Sequence, residues 1–395
     1  MGLAIRVLDY LLGSVVGVLD DPLGLWLKMV VTIRGRVIER KPSMIVITSN
    51  FPSPLISILS AGRGFIGKNG GNRKVAGVRT LYGRGLRFLP MSLRIVFLGT
   101  TGSVPTRSRG MPSIAIQREG DLILFDAGEG TQRQMISARL SPLKVSSIFI
   151  THLHGDHFLG LAGLVQTMSL FSREAPLTVY CPEGESERLR SHIFSPKYDL
   201  TFDLEIRELS PGDEVRMSGY RVIAAEADHT IPSLVYALVE DARPGRLDLQ
   251  RAISLGIPPG PTLSRLKAGE SVELPDGRII SPDEVVGPPR RGRKIVYTGD
   301  TRPSETLIPL ARHADILIHD CTLSDEFVER ARESGHSTPS GAAEIARRAE
   351  VRLLILFHIS PRHEDASPLL EQARRIFPNT IVAEDLAELE VPYPE

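Results

Sequence analysis

Two cysteines, Cys181 and Cys321, are all that this chain of 395 residues contains. They stand far apart and neither belongs to a CxxC pair. That excludes a disulfide framework and a cysteine-held zinc site, and suits a reducing, cytoplasmic setting. Long uncharged apolar runs are also missing. Asp20, Asp21 and Lys28 interrupt the most apolar part of the N-terminal region, so no stretch reaches the length of a membrane span. The succession of basic, apolar and small residues that marks a secretory signal is not found there either. Net charge is absent too, with 47 Lys and Arg against 47 Asp and Glu. The whole molecule therefore offers no broad attraction for a polyanion, and any phosphate binding must rest on local charge.

That neutrality conceals a split. Residues 1 to 90 hold 13 Lys and Arg against 4 Asp and Glu, which leaves 34 against 43 for residues 91 to 395. The basic part carries Gly and Arg in irregular order, as in Ala61–Lys74, with little sustained helical or strand period. Among the basic residues from Arg63 to Arg87 only Phe65 and Tyr82 are aromatic, too sparse an interleaving for a stacking surface, which disfavours an RNA-binding extension. After Met91 the pattern changes at once, and Ser92–Gly99 alternates as a strand does. We expect residues 1 to 90 to be a basic Gly/Arg-rich extension outside the mature fold, with Met91 the biological start and residues 91 to 395 the folded domain. Within that domain strands are expected at 93 to 98, 113 to 118, 122 to 126 and 146 to 150, with a turn at 118 to 121 and a helix over 158 to 171. A second series follows at 177 to 180, 221 to 225, 234 to 239, 294 to 298 and 315 to 319. Periodicity alone gives an α/β class.

The chemistry is concentrated in Ile148–His157, where His152, His154, Asp156 and His157 follow an apolar strand-like run within six residues. Imidazole nitrogen and carboxylate oxygen hold Zn²⁺ in hydrolytic sites. Alternation points His152 and His154 to one side of an extended chain, and Asp156 and His157, past the Gly155 turn, can face a second ion. A lone HxH is often a solvated turn, but this density of ligands is not. A dinuclear site needs more ligands from distant sequence, and strand ends supply three: His229 after Ala224–Asp228, Asp300 after Lys294–Gly299, and His358 after Leu353–Phe357. His192, His313 and His363 lie in charged or helical surroundings and read as ordinary residues.

The HxHxDH cluster with later His, Asp and His resembles the metallo-β-lactamase superfamily, and within it the chain resembles ribonuclease Z. The narrower likeness is carried by Gly99–Thr106, by Phe125–Gln134, by Pro232–Leu238 after His229, and by Gly335–Thr338 with its His-Ser-Thr sequence. It runs from about residue 91 to the C-terminus. The resemblance implies an αββα sandwich with an inserted protruding arm, two Zn²⁺ per subunit, a homodimer, and removal of 3′ trailers from precursor tRNA by attack of water on a phosphodiester. Ligand types and resemblance together assign His152, His154 and His229 to one zinc, and Asp156, His157 and His358 to the other, with Asp300 bridging. Asp156 doubles as proton acceptor, and His336 is the donor to the departing ribose oxygen. Asp126 is expected to orient a ligating histidine. Two departures stand out. The family's His-Glu-Ala-Thr reads His319–Thr322 here with Asp320 in place of Glu, a shorter reach toward His336, and Gly110 replaces the usual Asn after Arg107 and Arg109, which are expected near the cleaved end.

Residues 241 to 291 interrupt the second series with a density of prolines unsuited to core secondary structure, and should form the arm. Within Arg243–Lys267, Arg243, Arg246, Arg251, Arg265 and Lys267 stand against one acid, Asp248, inside an acidic domain. In the family this arm grips the tRNA elbow with a Gly-Pro tip, and Gly260–Pro261 resembles it. A small-molecule hydrolase of the same fold (phosphodiesterase, thioesterase or lactonase) would share the metal ligands without needing the arm or His336.

Overall fold

The computed structural model describes residues 15–19, 27–33, 36–39 and 93–394. Residues 61 to 74 and the Met91 start lie outside them. In the N-terminal unit, β1 (Val15–Leu19), β2 (Leu27–Ile33) and β3 (Arg36–Glu39) form an antiparallel sheet in that order, where the sequence suggested little regular structure.

The remaining chain builds two seven-stranded sheets. The first contains β4 (Leu93–Gly99), β5 (Ser113–Arg118), β6 (Asp121–Phe125), β7 (Val145–Phe149), β8 (Leu177–Pro182) and β9 (Leu204–Leu209), with β19 (Glu388–Glu390) beside β4. The second runs in the order β10 (Glu214–Met217), β11 (Tyr220–Glu226), β12 (Leu234–Glu240), β15 (Lys294–Tyr297), β16 (Ile316–Asp320), β17 (Leu354–Phe357) and β18 (Thr380–Val382). Both repeat one plan, in which antiparallel meander pairs lead into parallel pairs: β6 through β9 in one sheet, β15 through β18 in the other.

Side-chain alternation explains the layering. Ile95, Phe97, Ile114, Phe125 and Phe149 face Tyr236, Tyr297, Ile318 and Phe357 in a core between the sheets. Val96, Leu98, Leu124 and Ile148, from the opposite face of the first sheet, bury against Leu161, Leu164, Val165 and Met168 of the helix Leu161–Leu170. Val296, Leu317 and Leu356 do the same against the helices Pro339–Arg348 and Ser367–Arg374. This is the expected αββα sandwich.

Differences from the expectation have local causes. The helix expected over 158 to 171 is two helices, Gly155–Phe158 and Leu161–Leu170. Gly160 breaks them because its amide donates to the Ala127 carbonyl at 2.9 Å, and a side chain there would meet the Gly128 carbonyl at 2.0 Å. The short strands β18 and β19 and the half-exposed edge strand β9 show too little apolar alternation to be read in advance. The proline-rich insertion is not structureless. It holds the helices Leu249–Ser254 and Pro261–Lys267 and a small ladder of β13 (Val272–Glu273) with β14 (Ile279–Ile280). Pro261 starts its helix, where no backbone N–H is needed. Ala252, Ile257, Leu266, Val272, Leu274, Ile280 and Val285 form a separate small core. The antiparallel register pairs Tyr236 with Tyr297 and Val239 with Lys294, so the insertion is rooted at the end of β12 and β15 remote from Asp300.

Candidate metal centre

Every expected ligand leaves the carboxyl end of a strand on one edge of the sandwich. His152, His154, Asp156 and His157 follow β7, His229 follows β11, Asp300 follows β15 and His358 follows β17. The fold brings their donor atoms into two groups sharing one member. One is His152, His154, His229 and Asp300, the other Asp156, His157, Asp300 and His358, and within each group the donor atoms lie within 4.8 Å of one another. The grouping coincides with the division expected from sequence.

Hydrogen bonds outside the cluster decide which nitrogen each imidazole turns inward. His229 Nδ1 lies 2.7 Å from the Gly335 carbonyl, which can only accept, so Nδ1 carries the proton and Nε2 presents a lone pair. His157 Nδ1 likewise donates to Asp126 Oδ2 at 2.8 Å. Thr151 and Thr322 spend their hydroxyl protons on Asp126 and Asp320, so each oxygen accepts from a histidine Nδ1: His152 at 3.0 Å and His358 at 2.8 Å. Four Nε2 lone pairs therefore converge. His154 Nδ1 sits 3.1 Å from Nε2 of both His152 and His229, and His157 Nε2 sits 3.3 Å from His358 Nε2.

Electrostatics agree. Burial holds the pKa of His152, His154 and His229 below the usual imidazole value, which keeps them in the neutral ligating form. Burial also opposes charge on His157, but Asp300, Asp126 and Asp156 outweigh it and raise its pKa well above normal, the mark of a spot that calls for positive charge. Asp156 and Asp300 stay ionised against burial because the neighbouring imidazoles favour the carboxylate. Asp300 Oδ1 is buried with no hydrogen-bond partner, between His157 Nε2 at 3.2 Å and His358 Nε2 at 3.3 Å. Converging lone pairs around an orphaned carboxylate oxygen fit metal ions, and nitrogen with oxygen donors fits Zn²⁺.

Strained backbone supports the ring of ligands. Asp126 and His358 have positive φ of 59° and 60°, uncommon outside glycine. A side chain at Gly102 would strike the His358 ring at 2.3 Å, which is why that loop needs glycine. Asp126 is fully buried and receives Tyr297 Oη at 2.7 Å and the Thr151 amide at 2.8 Å. Tyr297, Thr151 and Thr322 were not singled out from sequence. Their only signal is position, one to three residues from a ligand or from Asp320 at a strand end.

His336 stands beside the ligands. Asp320 reaches its Nδ1 at 2.8 Å and Thr322 at 3.1 Å, so the shorter carboxylate closes the distance after all. Burial opposes its charge, but Asp320 and then Asp300 push its pKa up to about 9. An open cleft of about 530 Å³ gives access, lined by Ser103, Val104, Glu129, His154, Asp156 and His336 among others.

The basic residues divide. Arg107, Arg246, Arg251, Arg265 and Lys267 are exposed. Arg109 and Arg243, expected among the RNA contacts, are only partly exposed and spend donors on internal contacts. Arg109 Nη1 donates to Thr100 Oγ1 and the Ala383 carbonyl, both at 2.6 Å, and burial lowers its pKa. Arg243 lies against the Tyr393 ring and donates to the Pro394 carbonyl at 3.3 Å. Gly110 donates its amide to Asp385 at 2.6 Å, which ties the same loop down.

A model of the β-lactamase superfamily domain matches residues 122–246 and 285–359, and the gap between the two pieces falls within the insertion. Ribonuclease Z of Methanosarcina acetivorans is 50% identical over 302 residues, 76% of this chain and 99% of that protein. Ribonuclease Z of Archaeoglobus fulgidus is 49% identical over 308 residues, 77% of this chain and 100% of that protein. The crystal structure of the short form of human tRNase Z superposes with a TM-score of 0.56 at 28% identity, covering 76% of this chain and 99% of that one. With the site and these likenesses in agreement, the chain belongs to the ribonuclease Z family of the metallo-β-lactamase superfamily.

Proposed function

We propose that this endoribonuclease, a phosphodiester hydrolase by family, is a zinc enzyme that removes 3′ trailers from precursor tRNA and leaves a tRNA 3′-hydroxyl. The observation that carries the reading is the convergence of seven donors in two groups through Asp300, next to a hydrogen-bonded His336–Asp320 pair. His152, His154 and His229 would hold one ion, Asp156, His157 and His358 the other, with Asp300 between them. When bound, the two ions supply water activation near neutral pH and offset the charge that builds on the phosphate.

The chain's own residues do the rest. Asp156 is held at Oδ2 by the Ser103 amide at 2.8 Å and lines the cleft, placed to take the proton of the attacking water. His336, with Nδ1 engaged by Asp320, keeps its other ring nitrogen for the departing ribose 3′ oxygen. Asp126 holds the ring of His157 in its ligating tautomer. Arg107 in the loop above the cleft and Arg246, Arg251, Arg265 and Lys267 on the arm supply the positive charge for RNA.

The arm's root lies at the strand ends remote from Asp300, which favours a homodimer in which one subunit's arm holds the tRNA cut by its partner. Exposed Leu170 and Phe171 offer apolar surface for the subunit contact. Buried free thiols at Cys181 and Cys321 suit a cytoplasmic enzyme, and among the described residues no helix is long and apolar enough to cross a membrane.

Incubation with a 3′-extended tRNA precursor and mapping of both new ends tests the reading. A tRNA 3′-hydroxyl and a 5′-phosphorylated trailer are expected. Hydrolysis of a thioester or lactone with no cleavage of the precursor would replace it with the small-molecule alternative.

A further inference from the structure

The neck of the arm gathers several guanidinium groups around one buried carboxylate. Its two limbs pair where the Arg243 amide donates to the Arg290 carbonyl at 2.7 Å and the reverse bond spans 2.9 Å. Gly245 crosses Gly287 so closely that a side chain would lie 1.8 Å from its carbonyl oxygen. The guanidinium groups of Arg243, Arg290 and Arg293 share this neck. The buried carboxylate of Glu240 takes Nε and Nη2 of Arg293 at 2.7 Å each, and Nε of Arg118 at 2.8 Å.

Arg243 meets an aromatic ring instead. The guanidinium carbons of Arg243 and Arg293 lie 3.6 and 3.8 Å from the centroid of Tyr393. Two planar cations cannot share one face of a ring at those distances, so they occupy opposite faces and the ring is sandwiched. The same tail supplies backbone acceptors. Arg293 Nη1 donates to the Val391 carbonyl at 3.0 Å, and Arg243 Nη2 to the Pro394 carbonyl at 3.3 Å. Arg243 belongs to the outgoing limb of the arm, and Arg293 adjoins β15 in the sheet. The C-terminal tail thus cross-links arm to sheet through one side chain and two carbonyls.

We propose that Tyr393 is a positioning residue for the substrate, a latch that fixes the arm's neck to the sheet and so sets where the exposed Arg251, Arg265 and Lys267 stand. This rests on reading the arm as the element that holds tRNA. The neck is narrow, and freedom at a root is magnified at a tip. A loosened arm would have to be ordered again on each binding event, at a cost in affinity but not in chemistry. The ring faces matter here, not the phenol hydroxyl, because the quadrupole of the ring attracts the cations.

The test compares full-length Tyr393→Leu, Tyr393→Phe, Arg243→Gln and the double variant Tyr393→Leu/Arg243→Gln on precursor tRNA and on a small phosphodiester, beside a chain whose residues 243 to 267 are replaced by a Gly-Ser link. Tyr393→Leu should raise KM for precursor tRNA about tenfold, the scale of partly desolvated cation–π contacts. Its kcat, its small-substrate activity and the salt dependence of tRNA binding should not change, and Tyr393→Phe should restore KM. Arg243→Gln should show the same signature, and the double variant should lose no more than either single one. If Arg243→Gln instead lowers the salt slope by roughly 0.7 to 0.9, the loss of one phosphate contact, Arg243 binds RNA directly and the latch is overturned. Equal loss by Tyr393→Leu on both substrates overturns it, as does an unchanged KM while the arm replacement raises KM. An arm replacement that leaves KM unchanged overturns the tRNA reading of the arm, and the latch with it.

Discussion

The metal centre and the arm share a chain but are built by opposite means. At the centre, His152, His157, Asp126, Asp300 and His358 are almost wholly excluded from solvent, and the rings of His152, His157, His229 and His358 are tied from behind by a carbonyl, carboxylate or hydroxyl. In the arm, Arg246, Arg251, Arg265 and Lys267 project from two short helices and their connections over a core of seven buried side chains. Water activation demands donors held to fractions of an ångström in a dry site, and strand ends of a packed sandwich provide that. Grip on a phosphate backbone demands charge that remains hydrated and adaptable, and the proposed function gives that task to the small satellite body of the arm. The difference teaches that affinity and chemistry are separable here, and mutations should separate them.

The sharpest break is at the shared ligand. Asp300→Ala should reduce activity to background on every substrate and lose both ions, because its carboxylate belongs to both donor groups. Elemental analysis finding two ions per chain retained in that variant would refute the bridging role. Next comes His336→Ala, which should keep its metal and its KM and lose about 10² to 10⁴ in kcat, the usual worth of a positioned proton donor. A large rise in KM with kcat intact would move His336 from chemistry to binding.

Replacing residues 243 to 267 tests the other side. Precursor binding should weaken and become less salt-dependent, while small-phosphodiester hydrolysis survives. Parallel loss on both substrates would mean that the arm supports the centre and that the contrast between the regions is false. A smaller version is Leu266→Ala, which removes a fully buried side chain from the arm's core. The cost of about 2 to 5 kcal/mol should melt the arm alone. Hydrogen exchange would then rise across 248 to 285 with β4 to β8 still protected, and exchange rising equally in the sandwich would deny the arm its independence. The smallest effect is reserved for the N-terminal unit. We propose that a chain starting at Met91 folds and processes precursor as well as the full chain, since β4 begins at Leu93 with its side chain already in the core. Insolubility, or a KM raised several-fold, would make residues 1 to 90 a working part.

Much of this was legible in the chain itself. Alternation with apolar strand-like runs located β4 to β8, β11, β12, β15 and β16 to within a residue or two, because period-two burial is a local property. The seven candidate ligands, whose donor atoms the fold gathers into two groups, were picked out by residue type, spacing and strand-end position together with family resemblance, since donor chemistry does not depend on fold. Sequence did not show which nitrogen each histidine turns inward. That required Thr322 to lie beside His358 and Gly335 beside His229, pairs 36 and 106 residues apart. Nor did it show that Asp320 reaches His336, that the prolines of the insertion coexist with helices and a core, or that Arg109 and Arg243 are spent on internal contacts. A charged residue reads the same in sequence whether it faces water or an aromatic ring, and only the packing of distant segments decides which. Local spacing encodes what a residue can do. Sheet pairing over hundreds of residues decides which groups meet, which are dried, and hence which of those capacities are used.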